Sequence, residues 1–161
     1  MPSMLFVDTS GWYAAFSRKD PHHQAVTTAL REARAVRRSI VTSDYVLDET
    51  LTLARVRGGH TLAVRIGDAI WHRGGAHLLE VDAACRELAW KTFLRFAEHD
   101  LSFTDCTSAA LMRSRGIDEV VTLDHHFAVL GFVQRPNNEI GANAKVLVTI
   151  NLHALRNATG I

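Results

Sequence analysis

The sequence predicts an α/β protein, a three-layer sandwich around a mostly parallel central sheet. Three observations carry that expectation. Strand-like and helix-like segments alternate through short linkers, the order in which successive strand–helix units wind a parallel sheet. The first strand candidate, Met4-Leu5-Phe6-Val7, is apolar without interruption, as a strand covered on both faces must be. Two apolar strands finish directly in an acid, Asp8 and Asp124, and open parallel sheets gather their ligands beyond the carboxyl ends of the strands.

The elements follow in order. Residues 4–8 read as a buried strand, and Trp12, Tyr13 and Phe16 sit on a short helix behind it. Asp20-Pro21 reads as a helix start, a capping side chain with proline in the first turn. That helix runs to about residue 36 and sets Ala25, Val26, Ala29, Leu30 and Ala33 on one face. Ser39–Thr42 is a short strand. Ser43 or Asp44 caps the next helix, which ends near Gly58-Gly59. A helix over about 60–73 buries Leu62, Ile66, Ala69 and Ile70 and stops at Gly74-Gly75. Residues 77–81 are a strand candidate, and Asp82 caps a helix carrying Leu88, Ala89, Phe93 and Phe96. Thr104 or Asp105 caps another helix, which ends at Gly116. Residues 119–123 form the strand that finishes in Asp124, and Phe132-Val133 adds a last short one. Pro136-Asn137-Asn138 marks an edge, dividing a domain over 1–135 from a C-terminal extension over 136–161. Within the extension, Val146, Val148, Ile150 and Leu152 alternate with mostly polar residues and suggest one further strand.

The totals bound the function. A chain of 161 residues, 47% apolar and 22% charged, is one ordinary globular domain. Its 18 basic and 17 acidic side chains nearly cancel, so overall charge points to no partner. Cys85 and Cys106 form no CxxC pair and no disulfide framework, which fits a reduced compartment. The N-terminus lacks the pattern of a signal peptide, and no apolar run reaches the ~18 residues that cross a bilayer. A cytoplasmic protein is expected.

Four acids carry the chemistry. Asp8 and Asp124 belong on the rim of the sheet, and Asp105 lies at a helix start whose preceding loop can return there. Glu49, in "SDYVLDET", falls about a turn and a half into its helix and can lean back over the strand ends. Two unit charges ~4 Å apart repel by roughly 4 kcal/mol at an effective dielectric near 20. Such a cluster persists only by taking up protons or a cation. The ligands are hard oxygens, with the hydroxyls of Thr9, Ser10 and Thr104 nearby, a set that suits Mg²⁺ or Mn²⁺ rather than zinc. A metal so held activates water and stabilises charge on a phosphoryl group, which implies phosphodiester hydrolysis. Each acid taken alone also has a plainer role: Asp105 as a helix cap, Glu49 on a solvated face, Asp124 as the opening of a turn.

The segments "FVDTSGWYAAF", "SDYVLDETLTL", "LSFTDCTSAALMRSRGI" and "VVTLDHHFAVLGF" resemble, in order and spacing, a PIN-domain ribonuclease, and within that family a VapC-type toxin of a toxin–antitoxin pair. The resemblance covers about residues 4–135. It implies that Asp8, Glu49 and Asp105 hold the metal, that Asp124 is the fourth acid, and that Thr9 or Ser10 and Thr104 support the site by hydrogen bonding. It further implies a Mg²⁺- or Mn²⁺-dependent endoribonuclease that cuts tRNA, rRNA or mRNA. A homodimer is implied as well, silenced by a cognate antitoxin that covers the acidic pocket. The alternatives are a PIN-like module that binds RNA or protein without cleavage, and an RNA-processing nuclease that is not a toxin.

Other features are weighed against this. Arg55 and Arg57 follow the Glu49 helix and are the candidates for holding RNA backbone, while Arg31, Arg34, Arg37 and Arg38 read as a solvated basic edge. The pairs His22-His23 and His125-His126 read as surface, Cys106 as a small buried apolar residue, and Trp12, Tyr13 and Phe16 as packing or as a dimer and antitoxin contact rather than as a stacking platform for RNA bases. A receiver module is disfavoured because it needs paired acids after its first strand and a late lysine; Asp8 stands alone and no lysine occupies the late-strand region. An aspartyl phosphatase needs an acid two positions after Asp8, where Ser10 stands.

Overall fold

The computed structural model describes residues 3–137. The expected extra strand around 146–152, and most of the proposed extension, lie outside the described residues. Five strands, β1 (Met4–Val7), β2 (Ser39–Ser43), β3 (His77–Leu79), β4 (Glu119–Val121) and β5 (Val133–Arg135), form one sheet in the order β3-β2-β1-β4-β5. Every neighbouring pair is parallel, so the expectation of a mostly parallel sheet understates the regularity. Seven α-helices surround it: α1 (Thr9–Phe16), α2 (His23–Ala35), α3 (Asp44–Gly58), α4 (His60–Gly67), α5 (Ala83–Arg95), α6 (Phe103–Ser114) and α7 (His126–Val129).

Burial explains the strand sequences. Leu5, Phe6 and Val7 of β1 and Ile40 and Val41 of β2 are buried, as are Val120 and Val121 of β4. They meet Ile66, Leu111, Met112 and Phe127 in one core. The chain moves outward from β1 through β2 to β3, then crosses back to add β4 and β5 on the other side of β1. Parallel crossovers are right-handed as a rule, and crossovers that run in opposite directions along a sheet carry their helices to opposite faces. Strand order therefore reverses between β1 and β4, and this is the topological switch point where ligands bind in such sheets.

Several boundaries differ from expectation for identifiable reasons. Helix α2 starts at His23 rather than at Pro21, because the Asp20 carboxylate is taken by the His22 N–H in a turn before the helix. The helix expected over 60–73 is α4 followed by a π-helical turn over Asp68–His72. Strands β3 and β4 are shorter than predicted, and α7 was not foreseen. Arg38 does not lie on a solvated face; its guanidinium is 3.2 Å from Glu119 and donates to the Met4 carbonyl.

Candidate metal centre at the carboxyl edge of the sheet

Asp8 is the residue between β1 and α1. It occupies the N-cap position of α1, but its side chain makes no capping hydrogen bond, so the carboxylate is not spent on the helix. Its backbone N–H donates to the Val121 carbonyl at 3.0 Å, which extends the β1–β4 ladder by one residue and fixes Asp8 against the end of β4. Gly11 secures the same junction: a Cβ there would stand 2.5 Å from the Val121 carbonyl oxygen, so only glycine lets α1 descend this close to β4.

The Asp8 side chain is buried, 3% exposed. Its Oδ2 accepts from the Thr122 hydroxyl at 3.1 Å. Its Oδ1 is buried with no hydrogen-bond partner. Thr122 is a hub that sequence reasoning missed. Its Oγ1 accepts from the Asp124 N–H at 3.0 Å and lies 3.2 Å from Ser10 Oγ, which in turn accepts from the Leu123 N–H. A threonine at the end of a β-branched strand carries no signal until the fold sets it beside Asp8. Thr9 is buried, and its hydroxyl has no partner.

Asp105 arrives on the first turn of α6. The expected cap, Thr104 or Asp105, is corrected: Ser102 is the N-cap, and Asp105 completes a capping box from the third helical position. Asp105 Oδ2 accepts from the Ser102 N–H at 2.8 Å. Among the hydrogen bonds of the described residues, Thr104 contributes its carbonyl, to Thr107. Glu49 arrives on α3, which Ser43 caps through the Val46 N–H at 3.1 Å. The rings of Tyr45 and Phe103, 6.4 Å apart edge to face, join the first turns of α3 and α6 and so bring Glu49 towards Asp105. Asp124 follows β4, and its Oδ1 accepts from the His126 N–H at 2.9 Å.

Electrostatics places the four acids in one field. Burial drives the Asp8 carboxyl upward, and the charges of Asp105 and Glu49 add to it. The Thr9 N–H and the Thr122 hydroxyl pull against them, and the balance is a pKa of about 7. Asp105 is also raised, first by burial and then by Asp124 and Glu49, against its bonds from Ser102. No three of the four carboxylates bring oxygens within 4.8 Å of one another; among the described residues the group that does so is Asp124, His125 and His126. The four acids therefore share one field without meeting at a single point. A divalent cation fits the donors: they are hard oxygens, and Asp8 Oδ1 is an acceptor buried without a donor.

Arg55 and Arg57, expected to follow the Glu49 helix, lie within its last turn, six and eight residues beyond Glu49 and so ~9–12 Å further along the helix axis. Arg55 is hydrogen-bonded to His60. Trp12 is buried and donates from its indole to the Thr42 hydroxyl at 3.1 Å. His125 is exposed, whereas His126 is half-buried against Asp124, which corrects the reading of this pair as surface.

The structure is thus a parallel α/β sheet with acids near its switch point, one of which, Asp8, carries a buried oxygen without a partner. The PIN-domain model matches residues 5–133. The chain is 38% identical over 131 residues to the 23S rRNA-specific endonuclease VapC20 of Mycobacterium tuberculosis, covering 81% of this chain and 97% of that protein. The crystal structure of VapC20, described as a sarcin–ricin loop cleaving toxin, superposes with a TM-score of 0.72 at 35% identity, over 80% of this chain and 96% of that one. VapBC2 from Rickettsia felis, bound to promoter DNA, shares the fold at a TM-score of 0.63 and 16% identity, over 82% and 97% of the two chains. The chain belongs to the PIN-domain family, and within it to the VapC-type ribonuclease toxins. PIN nucleases generally use divalent ions. No helix among the described residues is long and apolar enough to cross a membrane.

Proposed function

We propose that this protein is a Mg²⁺- or Mn²⁺-dependent endoribonuclease, the toxin of a toxin–antitoxin pair, acting on a structured loop of ribosomal RNA. Asp8, Glu49 and Asp105 hold the metal, with Asp124 as the fourth acid. When bound, the ion supplies a nucleophilic water and neutralises charge on the scissile phosphate. Thr122 fixes Asp8 through Oδ2 and leaves Oδ1 free for the ion. Ser10 supports Thr122, and Thr9 and Thr104 line the same helix starts. Arg55 and Arg57 hold flanking phosphates. The protein acts in the cytoplasm as a homodimer, restrained by a cognate antitoxin that covers the acidic pocket.

The observation that carries this reading is the buried, partnerless Asp8 Oδ1 among like charges, a state a divalent ion relieves. The rRNA substrate rests on the 38% identity to VapC20 over nearly the whole of that protein. The test uses purified protein, free of antitoxin, with a 23S rRNA fragment containing the sarcin–ricin loop, alongside tRNA and mRNA. Site-limited cutting with Mg²⁺ or Mn²⁺, stopped by EDTA and reduced more than about 100-fold in Asp8→Asn, is the expected result. Cutting that survives EDTA, or an Asp8→Asn variant at full rate, overturns it.

A further inference from the structure

We propose a second cation site, formed by Asp124, His125 and His126, that takes a borderline first-row divalent ion of the Zn²⁺ or Co²⁺ class. Each residue offers one ligand atom, and all three atoms lie within 4.8 Å of one another. His126 Nδ1 is 2.8 Å and His125 Nδ1 is 3.9 Å from Asp124 Oδ1. The two imidazole centroids are 4.2 Å apart. Ligands held at ~2.0–2.2 Å from a common zinc stand about 3–3.6 Å from each other, and the observed separations bracket that range.

The second observation is an unsatisfied atom. His126 Nδ1 is buried and makes no hydrogen bond, although it stands 2.8 Å from Asp124 Oδ1. That oxygen is instead engaged by the His126 N–H, which holds the carboxylate facing the ring. His125, in contrast, is exposed, so an ion reaches the group from solvent and keeps open positions on that side.

The ligand chemistry separates this site from the acidic centre. Two imidazoles and one carboxylate suit zinc-like ions, whereas an all-oxygen set suits Mg²⁺. Asp124 belongs to both groups, since its charge also raises Asp105. An ion on the histidines therefore adds positive charge beside the acidic hollow. The inference stands whether or not the chain cleaves RNA, because it rests on the Asp124–His126 turn alone.

The experiment titrates the full-length, metal-stripped protein with Co²⁺, followed by absorption, and with Zn²⁺, followed by calorimetry, both in excess Mg²⁺. One Co²⁺ equivalent with ligand-field bands is expected, persisting in Mg²⁺ and in Asp8→Asn. It is expected to be lost in His125→Ala and in His126→Gln. His125 is exposed, so its variant keeps the fold whatever befalls His126→Gln, and thermal melting checks both. Undiminished Co²⁺ binding in the two histidine variants overturns the proposal. So does displacement by Mg²⁺, or loss in Asp8→Asn, either of which assigns the ion to the acidic centre.

Discussion

The two ends of the sheet treat a partly buried carboxylate in opposite ways. At the start of β4, Glu119 is held by Arg38 at 3.2 Å and by Arg135 at 2.7 Å. Burial alone would raise its pKa, but hydrogen bonds and charge from Arg135 and Arg38 outweigh burial and hold it below the usual range. At the other end, Asp8, Glu49 and Asp105 have no basic side chain within 4.0 Å among the described residues, and Asp124 has only histidines. The fold thus supplies its own cation where the acid is structural. Where it does not, it accumulates a charge debt that only a proton or an external ion relieves.

The largest expected effect tests that contrast through pH. In metal-free protein, Asp8 has a pKa of about 7 folded, against roughly 3.9 in an unfolded chain. Between those values the folded state binds the extra proton, so stability falls as pH rises from about 4 to about 7, by about 2–4 kcal/mol in all. Glu119 has the opposite sign: its depressed pKa gives stability that is present above about pH 4 and lost as pH falls through the folded value. Thermal melts in EDTA across this range should decline towards neutral pH. Asp8→Asn, or added Mn²⁺, should flatten that decline. A wild-type curve that is flat from pH 4 to 8 in EDTA would show that Asp8 is not charge-frustrated.

Next comes the tie between the two halves of the acidic end. Thr122→Val removes the donor to Asp8 Oδ2 and the acceptor of the Asp124 N–H. Cleavage should fall about 10–100-fold, the range for groups that orient metal ligands. Thr122→Ser should restore most of it, and Mn²⁺ affinity measured without RNA should follow the same order. Equal loss in both variants would point to packing rather than positioning.

What could be read from the chain divides along the same line. Asp8 and Asp124 were legible because a carboxylate ending an apolar strand has one physical location, the rim. Glu49 and Asp105 were legible only as helix-start acids; the contact of Tyr45 with Phe103 that joins their helices is encoded by no local pattern. Ser102 was overlooked as the cap because Asp105, the third residue of the box, looked like a cap itself. The Arg38–Glu119–Arg135 cluster was invisible for a general reason: its members are 16 to 97 residues apart, and each alone reads as surface charge. The π-helical turn after α4 likewise has no periodic signature distinct from a helix.

Backbone proximity gives a smaller effect that sharpens the comparison. Gly11→Ala sets a methyl 2.5 Å from the Val121 carbonyl oxygen, a backbone atom that cannot swing aside. Relief requires α1 to lift from β4, at a cost of about 1–3 kcal/mol. The same lift draws Asp8 away from Thr122. Denaturant melts should show the lost stability, and the variant should also cleave more slowly at a temperature where it remains folded. Full activity in a destabilised but folded variant would separate the α1–β4 junction from the site.

The smallest effect belongs to the compensated end. Glu119→Gln keeps the shape of the side chain but leaves Arg38 and Arg135 without their counter-charge. Because Glu119 is 25% exposed on its side chain and Arg135 36%, water screens much of the loss, and about 1 kcal/mol is expected. Cleavage and metal affinity should stay within about twofold, since this cluster lies at the opposite end of β4 from Thr122 and Asp124. The sign distinguishes the two ends. Neutralising Glu119 weakens the metal-free fold at pH 8, whereas neutralising Asp8 under the same conditions strengthens it. If both substitutions weaken the fold, the acidic hollow is held together by interactions other than those that make it wait for an ion.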